Sequence, residues 1–583
     1  MALLSLLVEV KSFDVVLANS IASSGETLAT LAELDRTSLL SKLKAVGVVS
    51  LPQRQAVASA VSKALKAGLA TRSNGLAELP RPGAPYAARR KKMPPLPPYK
   101  RLQQQQLRMT MHKSFPGAWY KVELPTGLEQ LREWGAEWLT RAFHAAGSLD
   151  LDDAITKVVR FEELEVQGFD AQGGAGLKAI LEVEYQKPDN GLHTLLFVKC
   201  PWTFEGEHGE YNRTLLSVMY GDGDGLELST YQFLEGLLPV RIPKFYFGDI
   251  SRESSMYWLI TECVPFSPRP PTTASTKLDW RDTPVGQLLP KSGKYQDDRL
   301  ADSHLYYCAL MRAMAKIAAA DKRGVFDEHI DVFHNRGVVA VAQKDTETRR
   351  SMLTRRAADA ADKLIEFITK CAYNLFPPPL NTVSWLNDFK RKLLECAPYA
   401  TGVGNYLNQP ELFALSHVNL QIDNAFFWRE SADSEQLECG LLDWYNFTRA
   451  PAVSVWGGAL SGVEPEVMVD HGLEIMTAFS EAYEKYGGPK VDPNELLNMF
   501  ILSLVGQTVA MCEFIEKEIY AMGPPRNEWP EITDRWDAKI MGVWQVRCRV
   551  VALLQLLKLW DSCEIHKKVM DWVAARRPAI DAL

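Results

Sequence analysis

Two polar loops interrupt an otherwise helical C-terminal half, in ALSHVNLQIDNAFFW (Ala414 to Trp428) and QLECGLLDWYNF (Gln436 to Phe447). Each lies beside short apolar runs that read as strands. The loops carry an imidazole, two amides and two carboxylates: His417, Asn419, Asp423, Asn424 and Asp443. Imidazoles and carboxylates can move protons, and carboxylate and amide oxygens suit a hard cation. Upstream, Lys199 ends the apolar run LLFVKC, Glu227 lies in LELSTYQFLEGLL, and Gly173, Gly174 and Gly176 cluster in QGGAG. Taken singly, each has an ordinary structural explanation: a lysine snorkelling at a strand end, a packed amphipathic helix, a glycine turn. Other chemistries lack support. There is no G-x-S-x-G, Ser416 and His417 are sequence neighbours rather than a triad, and His329 and His334 are too loosely spaced for a metal pair.

The elements that must position these residues follow from hydrophobic period. LEQLREWGAEWLTRAF has helical spacing from Leu128, and strand-like runs ITKVVRFEELEV, LKAILEVEYQ and HTLLFVKC come next. The last two form a hairpin through KPDNG (Lys187 to Gly191), whose residues supply the backbone angles of a tight reversal. LELSTYQFLEGLL reads as a helix, and KFYFGDI and MYWLITECV as strands around a turn at Ser251 to Ser255. Beyond Val264 the chain is mainly helical. VDPNELLNMFILSLVGQTVAMC should start at an Asp492 cap, with Pro493 in the first turn and Glu495 reaching back.

In this order the chain resembles the protein-kinase-like fold, within the aminoglycoside phosphotransferase, choline kinase and ecdysteroid-kinase-like group. The resemblance covers roughly residues 128 to 510. That group shows H-G-D-x-x-x-x-N followed by I-D-W or I-D-F; this chain has HVNLQIDN and LLDW. ELSTYQFL resembles the group's E-x-x-F-Y-x-x-L helix, with Thr230 in place of Phe. The resemblance implies an α+β, bilobal fold with a small antiparallel sheet lobe and a large helical lobe, here preceded by a helical N-terminal extension. It implies ATP and Mg²⁺ as cofactors. Lys199 would hold phosphates and pair with Glu227, Gly173, Gly174 and Gly176 would let backbone approach phosphate, and Glu262 and Val264 would form the hinge beside the nucleotide. Asp443 and Asn424 would ligate the metal, and the catalytic group would comprise His417, Asn419 and Asp423.

One departure bears on turnover. Where the group has its catalytic aspartate, this chain has Asn419, an amide that cannot act as a base near neutral pH. A general base contributes about 10² to 10⁴ in rate, so positioning and metal could still sustain transfer without it. Asp423 is the replacement in reach, although in the group this position tends to face elsewhere. Asp321 stands where the group has histidine, and Trp456 where it has aspartate. The sequence therefore supports two readings. One is a small-molecule kinase phosphorylating a hydroxyl acceptor, favoured by retention of Lys199, Glu227, Asn424 and Asp443. The other is a pseudokinase scaffold acting as an interaction module, favoured by Asn419. Asp327, Glu328 and Asp331 hint at a cationic acceptor.

The 583 residues are 46% hydrophobic and 23% charged, which excludes global disorder. A formal charge of -7 argues against nucleic acid as a partner. Nine scattered cysteines without a C-x-x-C suggest free thiols, the N-terminus lacks a basic signal region, and no apolar run reads as a membrane span. The expected location is cytoplasmic. The expected divisions are a helical extension (1–75), a Pro-rich basic linker (76–110), a small nucleotide-binding lobe (111–264) and a large helical lobe (265–583). The linker's P-x-x-P at Pro94 and Pro97, or the N-terminal helices, could serve a protein partner.

Overall fold

Runs of period two between residues 155 and 262 form a five-stranded antiparallel sheet in the computed structural model of this chain. The structure describes residues 36–45, 91–99, 101–165, 174, 176–205, 209–214, 221–269, 277–333 and 344–580. Most of the expected N-terminal helices, much of the linker, Gly173 and His334 lie outside the described residues. One unit of the chain gathers 1–81, 284–287 and 428–434, and includes a helix at Arg36–Ala45. The second unit, 82–283, 288–427 and 435–583, holds the elements below.

The strands are β1 (Ile155–Glu163), β2 (Leu177–Tyr185), β3 (Leu195–Cys200), β4 (Phe245–Ile250) and β5 (Tyr257–Glu262), in spatial order β1-β2-β3-β5-β4. Alternation decides which face each side chain occupies. Ala179, Leu181, Val183, Leu196, Val198, Trp258 and Ile260 point into a core covered by helix α1 (Leu128–Ala146). Trp138 of α1 meets Phe247 edge-on at 5.5 Å between ring centroids. The opposite face carries Lys178, Ile180, Phe197, Lys199 and Leu259, and this face lines a cavity.

Glu227 sits on α2 (Gly223–Ser229), which continues as a wider turn through Thr230–Leu234. The helical lobe is built around α3 (Ser303–Lys322), α4 (Glu347–Glu366), α5 (Pro465–Lys485), α6 (Pro493–Phe514) and α7 (Trp544–Ser562). Helix α3 packs on α5, and α6 packs on α4, α5 and α7. Asp492 caps α6 by accepting from the Asn494 amide at 2.9 Å. Glu495 instead accepts from Tyr406 Oη at 3.0 Å. By length and composition alone the helical run Pro493–Met522 is apolar enough to cross a membrane, a test that a buried core helix also passes, and 56% of its apolar window is buried inside the fold.

Two further strands bring the polar loops together. β6 (Phe413–His417) pairs antiparallel with β7 (Phe447–Pro451), from Phe413 opposite Pro451 to His417 opposite Phe447. The loop after β6 and the loop before β7 therefore lie side by side. The described stretch 91–99 is no free linker: Pro94 O accepts from Trp119 Nε1 at 2.8 Å, and Met93 and Leu96 pack against the core.

Candidate functional site

A cavity of about 630 Å³ opens between the sheet and the two loops. Lys199, Glu227, Glu262, Val264, Asp423, Asn424, Asp443 and Gly174 all line it. Lys199 is its centre, with Nζ 2.7 Å from Glu227 Oε2 and 2.7 Å from Asp443 Oδ1. Burial works against the ammonium charge, but the two carboxylates overcome it and hold Lys199 well above its usual range. Burial would also raise Asp443; Lys199 and Lys178 outweigh it and keep this carboxyl below the ordinary range. Glu227 is raised by burial against the pull of Lys199. Lys199 and Asp443 are thus ionised across the neutral range.

The Asp443 carboxylate is aimed by its backbone, which adopts a positive φ of 56°. Asp and Asn are among the residues that tolerate this conformation. Leu442, beside it, donates its amide to Asn424 O at 2.8 Å and accepts from His417 Nε2 at 2.8 Å. The carbonyl can only accept, so His417 carries its proton on Nε2. Burial pulls the His417 pKa down, leaving a neutral ring against Trp444. His417 does not line the cavity; it is a positioning residue for the Asp443 loop.

Asn419 also stands outside the cavity lining. Its carbonyl accepts from the Gln421 amide at 2.9 Å and from Asn424 Nδ2 at 2.7 Å. With Nδ2 engaged, the Asn424 amide oxygen is the end left for the cavity. Asp423, the replacement candidate named from sequence, lines the cavity, and its Oδ2 is 3.3 Å from Lys294 Nζ. The lysine that draws it there belongs to the loop Lys291–Lys294, which has no regular period and gave no warning in sequence. Lys178, Lys291, Lys294 and Arg269 complete the basic lining, and none of them was singled out by motif. For Lys178 a signal existed, because it is the register partner of Lys199 on the same sheet face. Burial, and Lys291 after it, push the Lys178 ammonium down to about 7. Asp327, Glu328 and Asp331 do not line this cavity.

The glycines divide. Gly174, with φ 105°, lines the cavity. Gly176 is a packing glycine: a Cβ there would lie 2.5 Å from Cys200 O and 2.8 Å from Tyr257 Oη. Gly176→Ala should cost roughly 1–3 kcal/mol, measured by denaturant unfolding, because backbone cannot retreat as a side chain can. Glu262 accepts from the Lys244 amide through Oε2 at 2.9 Å, while its Oε1 is buried without a partner. Burial raises its pKa to about 7. Asp321 and Trp456 are structural. Asp321 accepts from the Leu415 amide at 3.0 Å and pairs with Arg449, and Trp456 is fully buried against Phe479.

The residues present fit a divalent cation of the hard class. One carboxylate (Asp443) and one amide oxygen (Asn424) face the same cavity beside a lysine, and oxygen donors are what such an ion takes. No family model matches the chain, and no curated protein matches it in sequence. Among solved structures, it is similar to a choline/ethanolamine kinase family protein from Mesorhizobium loti at 10% identity, over 68% of this chain and 92% of that one, with a TM-score of 0.28. It is also similar to a microcompartment-associated aminopropanol kinase at 10% identity, over 67% and 91%, with a TM-score of 0.31. At such scores neither likeness bears on function.

Proposed function

We propose that the cavity binds ATP with Mg²⁺ and transfers the γ-phosphate to a hydroxyl of a small acceptor. The observation that carries this reading is the buried Glu227–Lys199 pair, joined by the half-buried Asp443 and opening on the cavity beside Asn424. Phosphoryl transfer asks little covalent work of a protein; it needs charge neutralisation and alignment. Lys199, held charged, would neutralise phosphate oxygens, and Glu227 fixes where its ammonium sits. Asp443 and Asn424 would hold Mg²⁺, which when bound neutralises charge on the phosphate chain. In the transfer the acceptor oxygen bonds to the γ-phosphorus, the bond to the bridging oxygen breaks, and ADP leaves. The acceptor's proton goes to the carboxylate that faces the cavity, Asp423, rather than to the position of Asn419.

That assignment gives a direct comparison. Asp423→Asn should lower transfer about 10²-fold with nucleotide affinity unchanged, whereas Asn419→Asp should change it by less than about threefold. The test is transfer of labelled γ-phosphate from ATP to a mixture of small alcohols, with labelled ester as the readout. Ester that disappears in Asp423→Asn supports the reading; a large gain in Asn419→Asp overturns the role given to Asp423. Nucleotide binding without any ester would favour the second reading, a pseudokinase, for which Asn419 is the supporting observation.

A further inference from the structure

Outside the cavity lining, two imidazoles and a carboxylate meet on the helical lobe: His304, His471 and Glu474. His304 stands in the first turn of α3, while His471 and Glu474 lie three residues apart on α5, and these two helices pack against each other. Residues three apart share a face of a helix, and an imidazole–carboxylate pair at this spacing is how helical bundles present metal ligands. The His304 and His471 rings are stacked, with centroids 3.7 Å apart and planes 9° from parallel. Glu474 Oε2 accepts from His471 Nδ1 at 2.9 Å, which orients both groups. One ligand atom from each of the three side chains lies within 4.8 Å of the other two. Donors on one tetrahedral zinc stand about 3.3 Å apart, so the closure needed is within reach of side-chain rotation. Both histidines are partly exposed and Glu474 is exposed, which leaves that freedom and an entry path from solvent.

The donor set selects the ion. Two imidazole nitrogens and one carboxylate oxygen suit a borderline metal such as zinc, whereas Mg²⁺ takes oxygen donors in near-octahedral geometry. We propose that His304, His471 and Glu474 form a binding site for a zinc-class transition-metal ion that ties α3 to α5. Three protein ligands leave a fourth position for water. An ion entering between His471 and Glu474 takes the place of the proton they share, which moves to the other nitrogen of the ring. The site is separate from the Asp443–Asn424 pair and does not depend on the phosphotransferase reading.

The test titrates Zn²⁺ calorimetrically into the chelator-treated full chain in millimolar Mg²⁺, for wild type, His304→Ala, His471→Ala and Glu474→Gln. Wild type should bind one Zn²⁺ that Mg²⁺ does not displace, and each variant should lose at least about tenfold in affinity. Zinc should raise the unfolding temperature of wild type and not that of the variants, because an ion bound only by the folded state stabilises it. Cobalt in place of zinc should give the visible absorption of a four-coordinate ion in wild type alone. Glu474→Gln keeps the shape of an exposed side chain, so it reports on the ion even if a histidine variant fails to fold. Equal zinc affinity in wild type and Glu474→Gln, which would place the ion on partly exposed thiols such as Cys263 or Cys563, overturns the site. So does the absence of binding to wild type at about 100 μM zinc.

Discussion

Asp443→Asn should reduce magnesium-dependent phosphate transfer about 10³-fold, because a metal-bound carboxylate supplies several kcal/mol of charge stabilisation and each 1.4 kcal/mol is tenfold. The substitution isolates charge. Asparagine tolerates the positive φ of 56° at this position, so the loop geometry set by Leu442, Asn424 and His417 should survive. Lys199 would keep Glu227 as its partner at 2.7 Å, so folding should be little affected. Thermal unfolding of the variant checks that point, and single-turnover transfer checks the rate. Loss of activity together with loss of the fold would assign Asp443 to structure alone.

Lys199→Met should cost about 3–5 kcal/mol of stability, the usual consequence of removing one member of a buried ion pair. It strands two carboxylates, Glu227 and Asp443, that had shared one ammonium. The loss should depend on pH in a definite sense. In wild type the Asp443 carboxyl is held below its ordinary range, so its contribution is present above about pH 4 and disappears as pH falls through the lowered value. Without Lys199 that depression is largely gone, and both carboxyls can take a proton in the folded state. The variant's deficit should therefore be greatest near pH 8 and shrink toward pH 5. Denaturant midpoints of both proteins across that range measure it; a deficit independent of pH would mean that the triad is not the source.

How much of this was legible in the sequence depends on what kind of element held each residue. Lys199 lay at the end of a strand run, Glu227 in a helical repeat, and Asn424 and Asp443 in loops between short apolar runs; the resemblance to the kinase-like group's motifs singled out the four residues, and periodicity gave those elements. The sheet, its hairpin and the helical lobe were readable for the same reason. Lys291 and Lys294 were not, because a loop of the composition PKSGKYQ has no period from which a facing direction can be read. Their arrival changes the chemistry of neighbours that had been identified: Lys294 turns Asp423 toward the cavity. His417 and Gly176 illustrate the opposite limit. Their residue types suggested catalysis and phosphate approach, yet one holds a carbonyl at 2.8 Å and the other allows a close backbone contact. Residue type alone does not distinguish a group that faces a ligand from one that faces its own chain.

If the Glu227–Lys199–Asp443 triad and Asn424 form a metal-dependent nucleotide site, nucleotide binding requires both Mg²⁺ and Asp443. Calorimetric titration of the full chain with a non-hydrolysable ATP analogue, with and without Mg²⁺, in wild type and Asp443→Asn, tests it most directly. Binding that requires Mg²⁺ in wild type and is lost in the variant is the predicted result. No binding at millimolar analogue, or binding indifferent to both Mg²⁺ and Asp443, would contradict it.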